Sequence, residues 1–316
     1  MRLLDGRKGR RFLVGHMSAT ARRRGKRLTT ELAATDVDVV VAVAASQEIA
    51  HLGGGVPVIH VSDATFAAVQ DFYPLYSSLH RSARRQGESI ERRALGRAAF
   101  AAMPSEWARS SAVTDYGVPA AKVRVVPFGP RVATTGARRR AGNSSELRIL
   151  LVASDWQRKG GEAALTAVSS MVTGGHRVAL TVVGDHPDML PAWACGRGRL
   201  YPTEMGQLYA DHDVLLELAT ANATGVTLTD AAHAGLPVVA ARTGGVATVV
   251  EDGVTGFLVT PGEAMVAQAV EALAAMTDPD LRASFSQAAR QRAADLLNWD
   301  QWADSIVALA REALTR

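Results

Sequence analysis

The stretch from Asn222 to Gly256, NATGVTLTDAAHAGLPVVAARTGGVATVVEDGVTG, constrains the fold of this chain more than any other. A strand region begins near Val214 and ends at Gly225, and small and apolar residues from Val226 to Ala234 recur at helical spacing until Gly235. Leu236 to Ala241 then reads as a short buried strand, Gly244 and Gly245 as a tight turn, and Val246 to Val250 as a helical turn closed by Asp252 and Gly253. A loop that feeds a helix amino-terminus beside parallel strands gathers unpaired N–H groups and the positive end of the helix dipole. That is a ready anion site.

Strand and helix signals alternate along the whole chain, which favours parallel sheets built from βαβ units. Candidate strands are Phe12 to Val14, Val37 to Val43, Val58 to Val61, Phe100 to Met103, Val123 to Val126, Ile149 to Ala153, Val178 to Val183, Val214 to Leu218 and Pro237 to Ala240. At 316 residues the chain has the length of about two domains. Its hydrophobic fraction of 47% and charged fraction of 21% are those of a globular protein. The longest obvious apolar run, Val39 to Ala45, is far short of a membrane span and reads as part of a buried strand. Cys195 is the single cysteine, so no intramolecular disulfide forms, and a buried inert thiol is expected.

A second informative segment is Leu150 to Gly161, LLVASDWQRKGG, a buried strand and a polar turn before a helix from Glu162 to Ser169. A lysine at a glycine-flanked helix start is placed to neutralise a phosphate, which singles out Lys159 with Arg158 beside it. The alternative is a solvated basic turn. A third segment is Glu91 to Gly129, with its P-S-E-W turn and closing P-F-G.

Together the three resemble retaining glycosyltransferases of family 4, which have the GT-B fold. That family carries E-G-F-G, then E-A-x-A-x-G-x-P-V-V-A, then G-G-x-x-E-x-V-x-x-G-x-x-G. Here Asn222 stands at the first Glu, Gly225 at the glycine, Asp230 at the second Glu, and Thr248 at the Glu of the last block. The resemblance implies an α/β fold of two Rossmann-like, doubly wound parallel-sheet lobes facing a cleft. The opening Met1 to Arg11, MRLLDGRKGRR, supplies no convincing strand, glycine-rich loop and long helix, so the first lobe is expected to be incomplete. The expected division is an acceptor-side lobe over residues 1–133 and a polar linker over 134–146. A donor-binding lobe over 147–297 follows, and a terminal helix over 298–316 crosses back to the first lobe.

The resemblance further implies transfer of a sugar from a nucleoside diphosphate sugar, with retention, to a glycan, lipid-linked or small-molecule acceptor. Arg158, Lys159 and the N–H groups of Gly225, Val226 and Thr227 would hold the diphosphate. Asp230 would take the ribose hydroxyls and Asn222 the sugar hydroxyls or a phosphate. Tyr201 and Pro202 are candidates for the nucleobase pocket. In many relatives a His-Asp pair touches the transferred sugar; in PVIHVSDATF, Asp63 fits the Asp, Ser62 stands at the His, and His60 lies two residues earlier on the same strand face. Asp63 and His60 are therefore the catalytic candidates, with a half-buried strand histidine as the plain alternative. His233, inside the motif helix, is assigned a structural role. No histidine has convincing metal-ligand spacing, so no cofactor and no metal are expected.

Charge is uneven. Met1 to Arg27 carries a net +9 and the rest of the chain a net −5. Such a head attracts anionic lipid or nucleic acid, or is the solvated face of a helix over Ser18 to Ala34. Without aromatic interleaving beyond Phe12, or a recognition motif, nucleic acid is not expected. The amino-terminus lacks the apolar core of a secretion signal, so the expected location is cytoplasmic, with peripheral contact at the inner membrane face through residues 1–27. Two rival functions remain open: a GT-B-shaped protein that binds a nucleotide sugar or a partner without turnover, suggested by Asn222, Ser62 and the poor opening, and a sugar-nucleotide epimerase.

Overall fold

The computed structural model describes residues 3–5, 11–132 and 146–316. The expected linker over 134–146 lies outside them except for Glu146, as does part of the basic head. The chain forms two compact units, Met1–Val126 with Trp302–Arg316, and Pro127–Gln301.

The first unit opens with an antiparallel pair, β1 (Leu3–Asp5) and β2 (Arg11–Leu13), followed by a 3₁₀ turn and the helix α1 (Ser18–Ala33). Then come β3 (Val40–Val43), α2 (Ser46–Ile49), β4 (Val58–Val61), α3 (Phe66–Val69), α4 (Arg81–Arg97), β5 (Phe100–Met103), α5 (Glu106–Thr114) and β6 (Val123–Val125). The four strands from β3 to β6 make one parallel sheet in sequence order, outside which β1 and β2 pair with each other. Ser105, from the P-S-E-W turn, caps α5 by accepting from Ala108 N at 3.2 Å. One face of the sheet packs Ala42 and Val58 against Ala21, Ile49 and Ile90, and a neighbouring core packs Ala101, Met103 and Val123 against Ala108 and Ala112.

The second unit contains β7 (Leu147–Ala153), α6 (Gly161–Thr173), β8 (Val178–Gly184), β9 (Ala194–Gly196), α7 (Pro202–Asp211) and β10 (Val214–Glu217). After these follow α8 (Val226–Ala234), β11 (Val238–Ala241), α9 (Val246–Val249), β12 (Gly256–Val259), α10 (Met265–Ala275) and α11 (Pro279–Asp295). Its six strands are parallel, in the order β12-β11-β10-β7-β8-β9. Because strand side chains alternate, Leu147, Ile149 and Leu151 of β7 pack with Ala164 and Val168 of α6 and Leu273 of α10, while Leu150 packs with Tyr209 and Leu228 on the opposite face. This is a doubly wound sheet with a core on each side. Both units are thus Rossmann-like parallel α/β units, as the sequence leads one to expect.

The change of unit falls at Pro127, before residue 133. Physically, Val132 is buried in a core of the second unit, the Trp299 indole N–H donates to Pro130 O at 2.8 Å, and Asp230 accepts from the N–H groups of Arg131 and Val132. The last helix, α12 (Trp299–Leu314), starts in the second unit and belongs to the first from Trp302 onward.

Two expectations are corrected. β3 is not a buried strand: it lies at the edge of its sheet, and Val41 and Val43 are 41% and 59% exposed. Cys195 is exposed, because β9 is the edge strand of the larger sheet. The basic head is, where described, the solvated face of α1: Arg22, Arg23, Arg24, Lys26 and Arg27 are exposed, with Arg24 paired to Glu48 at 2.6 Å and Arg27 to Glu31 at 2.7 Å. Among the described residues no helix is long and apolar enough to cross a membrane.

Candidate functional site

In the second unit a cavity of about 370 Å³ opens where β7 and β8 end and α8 begins. Val152, Ser154, Val183 and Gly184 come from the strand ends, and Val226, Thr227 and Asp230 from the first turns of α8. Carboxyl ends of parallel strands beside a helix amino-terminus are the usual ligand site of such sheets. Gly225 makes the turn into α8 at φ +68°, a left-handed conformation that side chains beyond glycine rarely adopt. Its carbonyl accepts from Leu228 N at 2.8 Å and Thr229 N at 2.9 Å, which leaves the Val226 and Thr227 N–H groups without an intrahelical acceptor.

Asp230 is 3% exposed and its Oδ1 accepts from Arg131 N at 2.6 Å and Val132 N at 3.0 Å. Burial raises its pKa above the ordinary carboxylate value, and these two N–H bonds counteract that rise. The floor of the cavity includes Tyr209, whose phenol burial pushes well above the usual pKa and therefore keeps neutral. Pro202 also lines the cavity, next to Leu200 and Arg199. Tyr201 does not: it is 77% exposed at the start of α7, where its N–H donates to Glu204 at 2.8 Å.

Lys159 is buried and donates to Glu217 Oε2 at 2.7 Å. The Asn222 amide donates to the other oxygen, Glu217 Oε1, and Asn222 Oδ1 accepts from Gly225 N at 2.8 Å. One network thus runs from the turn before α6 through the end of β10 to the start of α8. Arg158 donates to Ala221 O at 3.2 Å and to Ser154 Oγ at 3.5 Å, and pairs with Asp155 at 3.4 Å. Arg158, Lys159, Asn222 and Gly225 therefore stand together in the second unit, beside a cavity lined by Val226, Thr227, Asp230 and Pro202.

The first unit holds the other two candidates apart from each other. His60 is fully buried on β4, with Nε2 3.2 Å from Ser46 Oγ and Nδ1 3.4 Å from Ala42 O. Desolvation lowers its pKa to about 4, so at neutral pH it is an uncharged core histidine. Asp63 lies past the end of β4 and lines, with Ser62, a cavity of about 300 Å³ that His60 does not reach. His233 Nε2 lies 2.8 Å from Leu297 O, a bond that ties α8 to the segment before α12. Among the described residues no group of three or more His, Cys, Asp or Glu side chains is arranged to hold a metal ion.

Residues 146–276 match the model of the family described as glycosyl transferases group 1. The match covers most of the second unit. Over 295 residues the chain is 28% identical to the D-inositol 3-phosphate glycosyltransferase of Acidothermus cellulolyticus, covering 82% of this chain and 63% of that relative's length. Among solved structures, sucrose-phosphate synthase from Thermosynechococcus elongatus matches 100% of this chain and 83% of its own, with TM-score 0.72 and 18% identity. HepE of Anabaena in complex with UDP matches 90% of this chain and 82% of its own, with TM-score 0.67 and 17% identity. These likenesses establish the fold as that of the two-unit glycosyltransferases.

Within the second unit, sequence reasoning missed Glu217. Its signal was present: a single acidic residue ends the run Val214 to Leu216, where every side chain of the strand is buried. A carboxylate at the mouth of a fully buried strand needs a cation or several donors, and Lys159, which the sequence reading had given to a phosphate alone, is that cation.

Proposed function

We propose that the chain transfers a sugar from a nucleoside diphosphate sugar to a hydroxyl-bearing acceptor with retention of anomeric configuration. The observation that carries this reading is the meeting of a strand-end cavity with the free N–H groups of α8, Asp230, and the Arg158–Lys159 pair. The base and ribose would occupy the cavity between Leu200, Pro202 and Asp230. The diphosphate would lie against Val226 and Thr227 N–H, with Arg158 and Lys159 taking up its charge. Both cations are balanced by carboxylates in the unliganded chain, Arg158 by Asp155 and Lys159 by Glu217. A lysine ammonium has three donors, so one can stay on Glu217 while another meets a phosphate oxygen.

In the reaction the bond between the anomeric carbon and the diphosphate oxygen breaks and a bond to the acceptor oxygen forms. The nucleoside diphosphate leaves with the acceptor's proton. Cations and oriented N–H groups at the leaving phosphate stabilise the developing charge, and on this reading no divalent ion is required. Asn222, held between Glu217 and Gly225 N, orients the start of α8, and on this reading it would face the sugar or phosphate. The solvated basic face of α1 supports peripheral contact with an anionic membrane surface.

The test is incubation of the full chain with UDP-, GDP- and ADP-sugars and a panel of acceptors, followed by NMR. The expected result is metal-independent release of one nucleoside diphosphate and a product with the donor's anomeric configuration. An inverted product would overturn the retaining reading, and absence of release from every donor the chain binds would overturn turnover.

A further inference from the structure

Glu217 sets a fixed negative charge against one of the two cations that the donor reading gives to the diphosphate. It is 2% exposed at the end of β10, and both of its oxygens are engaged: Oε2 accepts from Lys159 Nζ at 2.7 Å and Oε1 from the Asn222 amide. Asn222 is fixed in turn, because its Oδ1 accepts from Gly225 N at 2.8 Å. The Asp155 carboxylate, which lies 3.4 Å from the Arg158 guanidinium, differs in one respect: its side chain is 45% exposed. Asp155 can turn into water when an anion takes Arg158. Glu217 cannot leave Lys159 without breaking its bonds and stranding a buried charge.

That difference decides what a diphosphate meets at Lys159. The ammonium has three donors, so one stays on Glu217 while another reaches a phosphate oxygen. Two hydrogen bonds of ordinary length on one nitrogen place the carboxylate and phosphate oxygens about 4–5 Å apart, and like charges at that range repel strongly in a buried site. A free nucleoside diphosphate carries more negative charge near neutral pH than its sugar ester, because its terminal phosphate ionises a second time with a pKa of about 6. The fixed carboxylate therefore weighs more against the product that leaves than against the donor that enters.

We propose that Glu217 governs release of the nucleoside diphosphate: it competes with the product for the Lys159 ammonium, and its charge shortens the product's stay in the site. The proposal rests on the transferase reading above and adds to it a residue that acts on release through Lys159. A carboxylate that served only to support the fold would, when replaced, weaken donor and product alike.

The experiment is calorimetric titration and stopped-flow displacement on the full chain, with UDP beside UDP-glucose, GDP beside GDP-mannose and ADP beside ADP-glucose. Glu217→Gln removes the charge and is compared in an Asn222→Ser background, where the serine hydroxyl can donate to a carboxylate or accept from an amide and so keeps Gly225 N capped either way. In that background Glu217→Gln should tighten the diphosphate that binds about tenfold, mostly through slower dissociation, and its sugar ester only about threefold. Unchanged or weaker diphosphate binding, or a gain no larger than that of the sugar ester, would overturn the proposal and leave the donor reading standing. If circular dichroism shows that this variant does not fold, Glu217→Asp in the parent, which draws the charge back by one methylene, decides in the same sense. A gain of about threefold for the diphosphate is then expected, and no gain overturns the proposal. No binding of any diphosphate to the parent, or unchanged affinity in Lys159→Ala, would instead sink the donor reading and this proposal with it.

Discussion

Lys159 in the second unit and Glu91 in the first are both buried, yet the chain treats the two differently. Lys159 faces the Glu217 carboxylate at 2.7 Å, and elsewhere in that unit Arg148 pairs with buried Asp213 at 3.0 Å. Glu91 has an oxygen without a partner, and in the same unit burial drives His16 and His60 to pKa values of about 4. At Lys159 a buried group meets a partner of opposite charge; at Glu91 a buried carboxyl oxygen is left unpaired. A buried pair of opposite charges suits a charged ligand that can exchange for one partner.

The sharpest way to break this comparison is to remove one side of the buried pair. Glu217→Ala leaves Lys159 unpaired and should destabilise the chain by about 3–5 kcal/mol in urea unfolding; a loss below about 1 kcal/mol would mean the pair is not buried in solution. The counterpart in the first unit is a pH series. Glu91 binds its proton more tightly when folded than when unfolded, so its contribution is full below about pH 4.5 and fades as pH rises to about 7. Glu91→Gln should therefore gain stability over the parent across that window, reaching about 3 kcal/mol and levelling off above it. His16 and His60 have the opposite slope, rising in stability between about pH 4 and 6.5, and cancel in the difference between variant and parent. A pH-independent difference would contradict a buried, uncharged Glu91.

Smaller effects refine the donor side. Asn222→Glu alone sets a second carboxylate against Glu217 and removes the amide donor, which should cost about 1–3 kcal/mol. Adding Glu217→Gln should recover most of that cost, because Lys159 then pairs with the new carboxylate; transfer that rises in the double variant but not in the single one would identify position 222 as the displaced sugar contact. Asp230→Asn keeps an acceptor for Arg131 and Val132 N–H but loses its charge, and should weaken nucleotide binding roughly fivefold.

The strands from Val58 to Val61 and from Val214 onward were legible because β-branched and apolar runs bounded by turns have few alternatives. Gly225 marked the start of α8 for a reason the backbone confirms, its positive φ. Edges were not legible: Val39 to Ala45 is as apolar as a central strand, and only sheet order shows that β3 lies at the rim. His60 is one of two alternating positions on β4, and periodicity does not say which layer of helices covers them. Glu91 was hidden by its neighbours Arg92 and Arg93, which give α4 a solvated look. The stripe Ala83, Gly87, Ile90 and Ala94 nevertheless passes through it, so helical spacing alone carried the signal. Glu217 escaped because the partner that makes it meaningful is 58 residues away in sequence.

The most direct test of the donor site is calorimetric titration of UDP, GDP and ADP into the full chain with a chelator present, repeated on Lys159→Ala after its fold is checked by circular dichroism. One nucleotide should bind without metal and lose roughly tenfold in affinity in the variant, since a cation-to-phosphate bond contributes about 1.5–3 kcal/mol. Unchanged affinity in Lys159→Ala, or no binding of any nucleotide to the parent chain, would contradict the placement of the diphosphate beside Lys159 and the start of α8.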